Sequence, residues 1–154
     1  MPDKKINQSP APGAEHKLLD VFIGRWKTEG QINESPFGSA GKIIGTDTYE
    51  WLPGGFFLIH HIDVRMGETN NKAIEIIGYD ASKRLYSMHS FDNLGNNIIM
   101  RACVDGNTWI FSGEQMRFTG TFSVDRKTLT GKWEYLEDDL NWRHWMNIKL
   151  TKKA

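Results

Sequence analysis

Gly55-Phe56-Phe57-Leu58-Ile59-His60-His61-Ile62-Asp63-Val64-Arg65-Met66 is the stretch that decides the fold. Alternate residues from Phe56 read Phe56, Leu58, His60, Ile62, Val64 and Met66, whereas the intervening set includes His61, Asp63 and Arg65. A two-residue period with one nearly apolar face is the mark of a half-buried strand, with the apolar set turned inward. Turn-forming residues bracket it: Pro53-Gly54-Gly55 before, and Gly67-Glu68-Thr69-Asn70-Asn71 after.

The same period recurs on both sides and predicts ten strands, at 25–33, 41–52, 55–66, 73–80, 85–92, 97–104, 107–113, 116–124, 128–137 and 142–151. The connections are too short for crossover helices, so sequential strands pair antiparallel. An all-β chain of this kind closes as a ten-stranded antiparallel meander β-barrel. Ahead of the strands, Leu18, Leu19, Phe22 and Ile23 share one helical face and Gly24 ends it. That predicts a short N-terminal helix at 15–23 closing one end of the barrel. Residues 1–14 read as an arm and 15–154 as a single barrel domain.

Composition narrows the function classes. The 154 residues hold 19 Lys+Arg against 19 Asp+Glu, a net charge of zero. Neutrality argues against nucleic acid or an anionic membrane surface as partner. No apolar run approaches the ~20 residues of a membrane-crossing helix. The first 14 residues lack an apolar leader core and Cys103 is the one cysteine, so a reducing, cytoplasmic location is expected. The chain carries 6 Trp, 4 Tyr and 8 Phe beside 15 Gly. By parity Gly30, Gly45, Gly78, Gly113, Gly120 and Gly131 face inward within strands. Such glycines either bend the wall or leave space beside large rings.

Leu18-Leu19-Asp20-Val21-Phe22-Ile23-Gly24-Arg25-Trp26 is similar to the helix and Gly-X-Trp that open calycin barrels, the lipocalins, fatty-acid-binding proteins and nitrobindin-like haem barrels. Tyr49-Glu50-Trp51-Leu52-Pro53-Gly54-Gly55-Phe56-Phe57-Leu58, followed by Ile77-Gly78-Tyr79-Asp80, resembles a group of uncharacterised bacterial lipocalin-like proteins. The resemblance spans about residues 15–151 and implies the calycin fold, with Trp26 across the barrel floor. Two departures matter. Residues 34–40 are too few for the helical lid of fatty-acid-binding proteins. Arg25, Arg65, Arg101, Arg117 and Arg143 all fall on outward parity, so the inward arginine that would hold a carboxylate is missing.

Parity turns Thr28, Asp47, Tyr49, His60, Ser87, His89, Tyr135 and His144 inward, with Trp109 and Trp133 among the wall rings. A mostly apolar wall with a few placed polar groups suits a small-molecule site. The expected function is binding of a small, largely apolar ligand, with Asp47, Tyr49, His60, His89, Trp109, Trp133, Tyr135 and His144 as ligand-binding residues. No catalytic residues are assigned. Alternatives remain open. His60, His89 and His144 would make a zinc site only if they converged. The nitrobindin likeness implies haem held by His144 on the last strand. Asp47 with His60 could form an acid–base pair for an isomerase. Lastly, Phe57, Ile59, Ile77, Tyr79, Tyr86, Met88 and Ile99 share outward parity on neighbouring strands, which predicts an outer apolar patch, a homodimer and an interaction module whose barrel is filled.

Overall fold

The computed structural model describes residues 10–154; the part of the expected arm at 1–9 lies outside the described residues. The closing helix forms as one α-helical turn, α1 (Ala14–Lys17), continued by a 3-10 turn over Leu18–Phe22. Ten strands follow: β1 (Gly24–Ile32), β2 (Gly41–Trp51), β3 (Phe57–Met66), β4 (Thr69–Asp80), β5 (Leu85–Asp92), β6 (Asn97–Asp105), β7 (Thr108–Ser112), β8 (Met116–Phe122), β9 (Thr128–Leu136) and β10 (Trp142–Lys152). Each pairs antiparallel with its sequence neighbours, and β10 returns to pair with β1, which closes the barrel. Closure removes the free edges that an open sheet would present.

The helix seals the floor because its apolar face has nowhere else to go. Leu19 and Phe22 are buried, and Phe22 packs at 4.9 Å from Trp109, 5.1 Å from Tyr49 and 5.2 Å from Phe122, centroid to centroid. Three polar atoms fix the seal. Trp26 Nε1–H donates to the Phe22 carbonyl at 2.7 Å, Trp51 Nε1–H to Asp20 Oδ1 at 2.7 Å, and the Tyr86 hydroxyl to the Glu15 carbonyl at 2.6 Å. At the other end a smaller cluster gathers Ile43, Val64 and Met146.

Most inward assignments hold, but two regions differ. Gly67, at φ +64°, and Glu68 make a two-residue turn, so β4 starts at Thr69 instead of 73. The resulting register sets His60 opposite Glu75 and Phe57 opposite Gly78. Glu75, Ile77 and Tyr79 therefore face inward while Ile74 and Ile76 face outward, and on β5 Tyr86 and Met88 face inward while Ser87 and Phe91 face outward. In β10 the pairing jumps between His144 and Met146, a bulge at Trp145. The extra residue reverses parity, so Met146 points inward but His144 is exposed.

The glycines act mainly by admitting the protein's own atoms. Gly120 and Gly131 are partners across β8 and β9, and a Cβ on either would lie within 2.6 Å of the Phe118 ring. The space they leave is thus filled by that ring. A Cβ at Gly45 would meet the Asp63 carbonyl at 2.3 Å, so there the wall bends back on itself. Gly78 faces outward, contrary to expectation, and the Phe57 ring covers it.

Candidate functional site

The fully buried polar side chains of the barrel form one array that spans β1 to β4. Thr28, Asp47, His60 and Glu75 are the buried polar or charged residues among those described. His60 stands at the centre: its Nε2 lies 2.6 Å from Asp47 Oδ1 and its Nδ1 3.0 Å from Glu75 Oε1. The Thr28 hydroxyl donates to the other Asp47 oxygen. Tyr49, opposite His60 across β2 and β3, lays its ring on the imidazole at 3.9 Å with 10° between the planes. Pairing register generates this grouping directly, since His60 sits between Tyr49 and Glu75 in adjacent strands.

Protonation follows from the geometry. A carboxylate accepts only, so each ring nitrogen facing one must carry a proton if both carboxylates are ionised. Burial alone would lower the His60 pKa, but hydrogen bonds and charge from Asp47, and then from Glu75, outweigh it and push the value up to about 9. At neutral pH the ring is an imidazolium. Two acidic side chains flank this one basic group, and no Lys or Arg is buried among the described residues. Tyr49 is held neutral, its pKa raised by burial and then by the charges of Asp47 and Glu75.

The array is not fully satisfied. Among the described residues, the Tyr49 hydroxyl and Glu75 Oε2 make no hydrogen bond, while side-chain nitrogens and oxygens sealed from a water-sized probe all have partners. Both free atoms therefore face water-sized space inside a barrel wall where Tyr49 and Glu75 are each 5% exposed. The inner wall includes soft side chains: Met66, Met88, Met100, Met116 and Met146 are buried or half-buried on inward positions. Two hollows lie elsewhere. One of about 90 Å³ sits at the floor beside Leu18, Trp109 and Phe122; an outer groove of about 590 Å³ runs over β9, β10, β1 and β2.

Of the eight residues expected at a ligand site, Asp47, Tyr49 and His60 come together. Trp133 and Tyr135 lie across the barrel on β9, Trp133 5.2 Å from Phe118 and Tyr135 5.6 Å from Phe37 near the end opposite the helix. Trp109 is spent on the floor, packed against Phe22 and Tyr86. His89 faces outward against Phe91, 4.5 Å away, because β5 has the opposite parity to that expected. His144 is outside as well, so the three histidines do not converge on a metal. Glu75 was missed in sequence; the signal was the two-residue turn that sets it opposite His60.

Haem fares no better. His144 projects away from the interior, and the one inward imidazole, His60, has both nitrogens engaged by carboxylates. The same engagement leaves His60 no free nitrogen for acid–base work on a bound molecule. The outer surface also changes. Ile77, Tyr86 and Met88 are buried in the core, so the apolar strip on β3 to β6 consists instead of Phe57, Ile59, Ile74, Ile76, Phe91 and Ile99.

The molecule is therefore a closed ten-stranded antiparallel barrel that carries a buried carboxylate–imidazole–carboxylate array. Its chain belongs to the family described as "Protein of unknown function (DUF1579)", whose model matches residues 11–152. Among solved structures it is similar to Rv2717c from M. tuberculosis, with a TM-score of 0.67 at 10% identity, over 92% of this chain and 99% of that one. At that identity the likeness is one of fold. No curated protein matches the chain. No helix among the described residues is long and apolar enough to cross a membrane.

Proposed function

We propose that the barrel binds a small, largely apolar molecule whose polar end reaches the Asp47–His60–Glu75 array. One observation carries this reading: Tyr49 and Glu75 each present an unpartnered polar atom to water-sized space within an apolar barrel. A molecule that displaces water from these atoms must replace its hydrogen bonds, at a cost of roughly 1–3 kcal/mol for each one left unmade, which favours a ligand with a polar end there. The adaptable methionines and Trp133 supply the apolar wall, and the resemblance of residues 18–26 to calycin barrels is one of fold that is compatible with such a use. Free Cys103 suits a reducing, cytoplasmic setting. Titrating a panel of small apolar compounds while following tryptophan emission tests the proposal. Saturable quenching that weakens in Trp133→Phe is expected; no quenching and no thermal shift across the panel would remove it.

A second reading, self-association, rests on the outer strip, where Ile99 is 65% and Phe57 46% exposed. A two-fold pairing of that strip would give a homodimer. Sedimentation at increasing concentration should show a dimer that Ile99→Asp dissociates, and a monomer throughout would end this reading.

A further inference from the structure

Resting on the binding reading above, we infer that the ligand carries a protonated amine, held by Glu75 Oε2 and the Tyr49 hydroxyl. The charge balance of the array comes first. Two carboxylates flank one imidazole, Thr28 adds a neutral donor, and no other buried residue among those described can be cationic. The array thus sets two acidic side chains against one basic one inside the barrel, an imbalance that a cation or strong donors would complete.

Donor and acceptor inventory gives the same answer. The proton donors of the array are already committed: both His60 N–H groups go to carboxylates, and the Thr28 hydroxyl goes to Asp47. What remains open is mainly acceptor capacity, at Glu75 Oε2 and at the lone pairs of the Tyr49 hydroxyl. An ammonium brings three donors and no acceptor, matching that deficit. A carboxylate would meet two acidic side chains, with the Tyr49 hydroxyl as the array's one free donor. An alcohol could satisfy one atom, but without the charge-assisted bond. The arginines complete the argument: the described residues place none in the buried interior, so nothing there is built to hold an anion.

The test uses the full chain at neutral pH and three probes with one apolar body, n-octylamine, n-octanol and octanoate, titrated by calorimetry. Octylamine should bind about tenfold more tightly than octanol, with octanoate weakest. Glu75→Gln keeps an oxygen for His60 Nδ1–H while removing the charge, and should bring the amine-to-alcohol ratio close to one; circular dichroism establishes that the variant is folded. If Glu75→Gln does not fold, Tyr49→Phe serves, and should reduce the same ratio severalfold. Equal affinities for amine and alcohol in the wild type overturn the inference and leave the binding reading standing. Tightest binding of octanoate, or a preference unchanged in folded Glu75→Gln, overturns it too. Failure of all three probes to bind removes both.

Discussion

Asp47 and His60, on adjacent strands and 13 residues apart, meet at 2.6 Å inside the barrel, and Glu75 holds the other side of the same ring at 3.0 Å. This relationship makes folding and protonation one event. The folded His60 pKa, about 9, lies above its ordinary 6.5, so the folded state binds the proton more tightly. The stabilisation is fully present below pH 6.5 and is lost as pH rises through about 9. Its ceiling is on the order of 3 kcal/mol. Stability to urea should therefore fall between about pH 6.5 and 9.5. Nitrogen NMR of the imidazole should show both ring nitrogens protonated at pH 7.5; a ring titrating near 6.5 would refute the assignment.

The floor makes a second prediction. Phe22 is 1% exposed and touches four aromatic rings, so Phe22→Ala removes a packed plug from a place that cannot collapse onto itself. A loss of about 3–5 kcal/mol is expected. Leu18, half exposed on the same turn, should cost less than about 1 kcal/mol when truncated to alanine, because little burial is lost there. Paired urea denaturation curves separate the two.

The Gly131 position gives a sharper test of packing. An added Cβ would lie 2.5 Å from the Phe118 ring and 2.6 Å from the Thr119 carbonyl. The ring can yield but the carbonyl cannot easily do so. Gly131→Ala should destabilise by about 1–3 kcal/mol, and Gly131→Ala combined with Phe118→Leu should cost less than the two singly added. Strict additivity would mean that the ring does not occupy the glycine's space.

The strands were legible because turns and alternation agree along most of the chain. β1, β2, β3 and β6 to β9 each have one plainly apolar face, and their parity read correctly through the paired segments. On β4 both faces are apolar at Ile74, Ile76 and Ile77, while Glu75 looks like an outward residue until its partner is known. Alternation has no power to choose there. The choice comes from register: a two-residue turn at Gly67-Glu68 sets Met66 opposite Thr69, and so His60 opposite Glu75. On β5 the sequence pattern likewise turns Tyr86 and Met88 outward and His89 inward, the reverse of the structure. In β10 no residue announces the bulge at Trp145, whose ring packs 5.1 Å from Phe37 and 6.2 Å from Tyr135. Thr28, Asp47, Tyr49 and His60 were visible in sequence as inward residues; Glu75, the second acid on the His60 ring, was not.

That bulge carries the last prediction. A haem iron needs a neutral imidazole nitrogen with a free lone pair aimed into the cavity. His144 offers an imidazole on the wrong side of the wall, beside Glu134, its partner on β9. His60 is inside, but its nitrogens are protonated and bound to Asp47 and Glu75; freeing one would strand a buried carboxylate. Haemin added to the protein should therefore give the same Soret absorption with wild type and with His144→Ala. Any adsorption to the outer apolar strip would lack the spectrum of histidine ligation. A histidine-ligated Soret band that disappears in His144→Ala would mean that β10 pairs without the bulge, turning His144 inward and Trp145 out.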